Sequence, residues 1–149
     1  MSSGFSSLKW GRVVVGVIVG LLVGVVGNIV LQTLYGVVLG FQVRGMPPQE
    51  QMIAAIKSVP FQLMAALLIL LGGFVGGRIA ARPAETNHQL AGLVTGVLLA
   101  VLVAIWRVFS WGTADLWMVA QVVFAIAGGW LGGRLAARRT EEYDESPQL

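Results

Sequence analysis

Apolar residues run along this chain in four long blocks, at positions 13–32, 61–79, 90–108 and 116–133, with charge confined to the block ends. Each block supplies about 18–20 residues, enough at 1.5 Å per residue to cross a hydrocarbon core of roughly 30 Å. Backbone groups in lipid must bond within their own segment, and the alternation of a membrane β-barrel is absent, so the blocks predict four transmembrane helices. Proline stands at 47, 48, 60, 83 and 147, outside every block, so no proline-broken helix is expected.

Two stretches fall outside this scheme. The first block runs on through apolar positions 34–41, which predicts either a tilted, protruding helix or a bend near Gly36 and Gly40. Positions 46–59 then open with Pro47 and Pro48, place Glu50 in a first turn, and repeat Met52, Ile53, Ile56 and Val59 at helical spacing. They predict a short amphipathic helix at the membrane interface in the first outer loop. Residues 1–8 read as a polar, disordered leader, and the apolar stretch after Lys9 and Arg12 is too long for a cleavable signal.

Composition agrees with burial in lipid. Of 149 residues 56% are hydrophobic and 11% charged, less than half the charge of ordinary soluble domains. The net charge of +3 hides two regions. Apart from Glu141, Glu142, Asp144 and Glu145, ten basic residues face three acidic ones. Lys9, Arg12, Arg78, Arg82, Arg134, Arg138 and Arg139 fall on one side of the predicted spans; Arg44, Lys57 and Arg107 fall on the other. That asymmetry predicts a multi-pass plasma-membrane protein with both termini cytoplasmic, rather than a nucleic-acid binder. Trp10, Trp106, Trp111 and Trp117 lie near span ends, as an aromatic belt requires.

An internal repeat is the strongest single feature. The block GGFVGGRIAAR at 72–82 recurs as GGWLGGRLAAR at 128–138, with eight of eleven positions identical. The expectation is an all-α, four-helix domain over 1–138, made of two helical hairpins at 10–82 and 88–138. Each hairpin holds an even number of spans, so the copies are parallel and related by an axis along the membrane normal. A disordered acidic tail is expected over 139–149. Gly72–Arg82 followed by Gly92 and Gly96 resembles small bacterial four-span membrane proteins in which a Gly-rich helix end and an Arg pair lead by a short loop into another Gly-containing helix. The resemblance implies the hairpin fold and no activity.

The 20 glycines sharpen the picture. Gly16, Gly20, Gly24, Asn28, Gln32, Gly36 and Gly40 recur at every fourth position of the first helix; Gly92 and Gly96 do so in the third. Adjacent ridges 72/76/80 with 73/77/81, and 128/132/136 with 129/133/137, mark the second and fourth. In lipid, helices associate through close backbone approach, so Gly16, Gly20, Gly24, Gly73, Gly77, Gly92, Gly96, Gly129 and Gly133 are assigned to helix packing. The glycines concentrate toward the predicted cytoplasmic side. Asn28, Gln32, Thr33, Gln62, Gln121 and Arg107 lie toward the outside, which predicts a bundle pinched inside and looser outside.

Asn28 and Gln32 continue the glycine stripe and are expected to face protein. They serve either as interhelical hydrogen-bond glue or, with Gln121, as an outward-facing polar vestibule. Arg78, Arg82, Arg134 and Arg138 are expected to anchor the cytoplasmic interface, with a site for anionic lipid headgroups as the alternative to Arg78 and Arg134 as simple anchors. Arg107 is expected to pair with Asp115 across a short turn. His88 reads as a solvated loop residue. With no cysteine and one histidine, no metal site, cofactor site or catalytic set assembles. The expected partners are the bilayer and a membrane protein or second copy. Two functions remain open: a non-enzymatic accessory, assembly or structural component, and a small oligomeric channel or passive transporter.

Topology gives a direct check, because there is no native cysteine to remove. Single cysteines replacing Ser3, Gln49, Asn87, Thr113 and Ser146 should label with an impermeant maleimide from inside, outside, inside, outside and inside. One reversed position breaks the two-hairpin arrangement.

Overall fold

The computed structural model describes residues 8–82, 87–111 and 115–144, with the side chains of Trp111 and of 139–144 outside that description. Five helices make up the described chain: α1 Trp10–Val43, α2 Gln49–Lys57, α3 Val59–Ala81, α4 His88–Trp111 and α5 Leu116–Asp144. Four of them, α1, α3, α4 and α5, are long and apolar enough to cross a bilayer, and no strand occurs among the described residues. The protein is an all-α, four-span membrane protein. Both ends of the described chain lie at one end of the bundle, called the terminal end below; the opposite end is the far end.

Local chemistry sets the boundaries. α1 has 34 residues without interruption, about 51 Å at 1.5 Å per residue, so of the two sequence readings the continuous, protruding helix is the one observed. It stops at Arg44, which takes a left-handed φ of 53° while its N–H closes onto the Gly40 carbonyl. Pro48 precedes α2 with φ −56° and ψ 144°, and Glu50 and Lys57 sit in the first and last turns, where they complement the helix dipole. Ser58 is extended and its hydroxyl donates to the Ala55 carbonyl at 2.6 Å, which separates α2 from α3. Asp115 caps α5, its Oδ1 accepting the Met118 N–H at 2.9 Å. α5 continues as helix to Asp144, past the disordered tail expected from position 139; the remainder, 145–149, lies outside the described residues.

The four long helices form a rhombus. α3 and α4 occupy the short diagonal and each packs on all three others, while α1 and α5 do not meet among the described residues. At the terminal end the helices touch backbone to backbone. A Cβ built on Gly16 would stand 2.5 Å from the Gly76 carbonyl oxygen, and one on Gly20 2.7 Å from that of Gly72. Gly73 sits against the Ala125 carbonyl and Gly77 against Gly129; Gly92 and Gly96 sit against Gly129, Gly133 and Ala125. Such approach brings Cα–H groups and carbonyls into contact across the interface and maximises dispersion, which drives association in lipid.

Toward the far end side chains bridge the helices instead. Leu68 fills the space beside Gly27, and Tyr35 meets Phe61 edge to face with centroids 5.1 Å apart, in a cluster with Leu31, Ile56 and Ala65. The amphipathic α2 rests here, Met52 against Gly36 and Ile56 in the same cluster.

Two expectations need correction. The strict every-fourth stripe of α1 does not stay on one face, because each four-residue step overshoots a full turn by about 40°. The buried line instead follows Val13, Gly16, Gly20 and Leu31, with Gly27 against Leu68. Gly24 meets nothing within 4 Å, and Gln32 has turned outward and is exposed. The repeated blocks also use their ridges differently. In α3 the 72/76 ridge meets its hairpin partner α1 and the 73/77 ridge meets α5; in α5 the 128/132 ridge meets α3 and the 129/133 ridge meets its hairpin partner α4. α3 and α5 run parallel, as expected, but their two hairpins close on different faces.

Gly129→Ala and Gly24→Ala separate packing from helix propensity. The first puts a methyl within 2.5–2.7 Å of the Gly92 and Gly96 backbone and should destabilise by about 1–3 kcal/mol. The second meets open space and should be neutral or stabilising by up to about 1 kcal/mol. Thermal unfolding in mild detergent reads both.

Candidate functional site

Polar side chains inside the bundle gather at the far end, where four elements supply one network. Arg107 leaves the last turns of α4 and is largely buried. Its Nη2 donates to Asp115 Oδ2 at 2.9 Å and its Nη1 to Gln62 Oε1 at 3.1 Å. Gln62, buried near the start of α3, donates onward from Nε2 to the Ile56 carbonyl of α2 at 2.8 Å. The expected Arg107–Asp115 ion pair is therefore present, as one link in a chain joining α2, α3, α4 and the cap of α5. Gln62 was the residue missed as a partner. Its signal was an amide soon after Pro60, at the same predicted depth as Arg107. The Arg107 Nε is buried without a partner.

Burial alone would raise the Asp115 pKa. The hydrogen bond from Arg107, the Met118 N–H and the Arg107 charge outweigh it, and the carboxyl is held below its ordinary value of 3.8.

The three amides assigned to a vestibule do not come together. Asn28 and Gln32 belong to α1, where Gln32 Nε2 donates to Asn28 Oδ1 at 2.8 Å one turn away. Gln121 is buried on α5, the one long helix that does not meet α1. Asn28 and Gln32 thus satisfy each other along their own helix instead of linking two helices. Thr95, fully buried in α4, returns its hydroxyl to the Ala91 carbonyl at 2.8 Å.

At the terminal end Arg78 is half-buried and Arg82, Arg134 and Arg138 are exposed; Arg134 lies over the Trp130 ring at 5.3 Å. His88 departs from its expected solvated state. It is half-buried, and its Nδ1–H donates to the Ala81 carbonyl at 2.7 Å, tying the end of α3 to the start of α4.

Among the described residues no three of His, Cys, Asp and Glu come close enough to hold a metal. The groups present can position helices, pair charges and donate hydrogen bonds. Comparison with protein-family models, with curated proteins and with solved structures finds no match.

The network has a signed pH dependence. A carboxyl with a depressed folded pKa contributes stability that is complete above its unfolded value and is lost as pH falls through the folded one. Asp115→Asn keeps an N-cap acceptor but removes the charge. Its melting temperature should lie below wild type by a constant margin down to about pH 5, and the margin should close below about pH 4. Gln62→Leu, which leaves both Arg107 Nη1 and the Ile56 carbonyl short of a partner, should cost more at neutral pH, about 1–3 kcal/mol.

Proposed function

We propose that this chain is a non-enzymatic accessory or assembly component of the plasma membrane, with both termini in the cytoplasm, acting through helix–helix association along α1. The observation that carries this reading is the unequal enclosure of the spans. Only 17% of the most apolar stretch of α1 is buried within the chain, against 39% for α3, 28% for α4 and 33% for α5.

The glycine ridges of α3, α4 and α5 are consumed by packing inside the bundle, whereas α1 keeps Gly24 open and presents Ile18, Leu22, Val25, Val26 and Ile29 outward. Its last turns run past the start of α3, exposing Val37, Val38 and Phe41. A surface of that length and smoothness suits a partner's transmembrane helix, for which close van der Waals contact is the driving term. Backbone contact at the terminal end also gives no support to a water path through the centre of one copy.

Photo-crosslinking residues placed at Leu22, Val26 and Phe41 should yield protein adducts in native membranes, while one at Val123 on α5 should yield lipid adducts. Lipid adducts alone from α1, or solute flux from the purified protein in liposomes, would overturn the proposal.

A further inference from the structure

The outward face of α1 carries a pattern of its own. Ile18, Leu22, Val25, Ile29 and Gln32 follow one another in steps of four, three, four and three, the heptad spacing that keeps to one side of a helix. The four apolar members are 47–59% exposed, and Gln32 is exposed as well. At 100° per residue these five stand opposite the buried line of Val13, Gly16, Gly20 and Leu31. The result is a heptad seam about 21 Å long that faces away from the bundle.

Gln32 is the member of the seam that lipid cannot serve. It lies within the apolar span, with Leu31 beside it packed against Phe61 of α3 and the exposed Ile29 and Leu34 on either side along the chain. One N–H of its amide goes to Asn28 Oδ1 at 2.8 Å, and Gln32 makes no other side-chain bond among the described residues. That bond holds the amide in place and leaves its Oε1 and second N–H spare. Acyl chains cover the four apolar residues, but they offer an amide neither donor nor acceptor.

We propose that this seam is the contact between two copies of the chain, paired in parallel about a two-fold axis along the membrane normal. Ile18, Leu22, Val25 and Ile29 pack against their counterparts, and Gln32 of each copy bonds Gln32 of the other. Both copies insert with the same orientation, so the axis brings every residue to its counterpart at the same depth. Each Gln32 then gives its spare N–H to the other's Oε1, a reciprocal pair that sets register as a polar residue in a heptad seam does. An amide with one spare donor and one spare acceptor is its own complement, which points to a second copy as the partner. This inference rests on the proposed role of α1 and names what α1 binds.

The test places single cysteines along α1 of the full chain in native membranes, where no native cysteine interferes. Under a mild oxidant, cysteines replacing Leu22, Val25 and Ile29 should form disulfide-linked dimers about fivefold more readily than those replacing Val26 and Val30, which lie beside the seam. Gln32 is exposed and bonded only within α1, so Gln32→Leu spares the bundle. It should weaken self-association in liposomes by about three- to tenfold, read by energy transfer between labelled copies as lipid is added. Equal crosslinking on and off the seam, no dimer at any seam position, or undiminished association of Gln32→Leu overturns the proposal. Protein adducts of α1 that contain only a different chain overturn it and leave the role of α1 standing, whereas lipid adducts alone remove both.

Discussion

Backbone contact between α3 and α5 is the constraint on which the rest of the bundle depends. Two helices can approach to backbone contact where one of them presents glycine toward the other's carbonyl, and here Gly73 and Gly77 face the carbonyls of Ala125 and Gly129 while Gly128 and Gly132 face those of Leu70 and Phe74. The doubled glycines matter because neighbouring residues point about 100° apart around a helix. A single ridge serves one close neighbour, whereas a pair such as Gly76–Gly77 serves two. α3 therefore holds α1 and α5 at backbone distance at once, and α5 holds α3 and α4. Gly129 lies where α3, α4 and α5 converge: Gly77 of α3 rests on its carbonyl, and a side chain on Gly129 itself would push α4 away.

The far end obeys a different rule. Without glycine ridges the helices are spaced by Leu68, Phe61 and Tyr35, and orientation comes from hydrogen bonds. Arg107 is suited to this role because its planar fork reaches Gln62 and Asp115 together. Its charge is matched by Asp115, and Gln62 passes the connection on to α2. Close packing at one end and a polar clasp at the other hold the bundle in register in a solvent where apolar burial between helices contributes little.

Much of this was legible beforehand. Span number and placement follow from the length of apolar blocks, because lipid thickness admits few alternatives. The Arg107–Asp115 pair was readable because a short turn brings residues eight apart within reach of each other. Neither alternative for Asn28 and Gln32, glue between helices or a vestibule with Gln121, is what the fold forms, because the two amides pair along α1 and Gln121 lies on α5, which does not meet α1. A period of four looks like one stripe in the sequence but winds around a helix of 3.6 residues per turn. Gln62 went unassigned because its partner lies 45 positions away on another helix. His88 was placed in solvent because the carbonyl it meets, that of Ala81, carries no side-chain signature.

The sequence by itself determined that this is a four-span helical membrane protein whose close contacts are made by glycine, since hydrophobic length and residue size are properties of the chain alone. Which ridge meets which helix was decided only by the tertiary structure. The repeated blocks are nearly identical, yet the 72/76 ridge faces its hairpin partner where the 128/132 ridge faces the other hairpin. Identical local chemistry is compatible with both arrangements, and only the simultaneous packing of four helices selects between them. The same selection left α1 and α5 apart and turned Gln32 toward the outside.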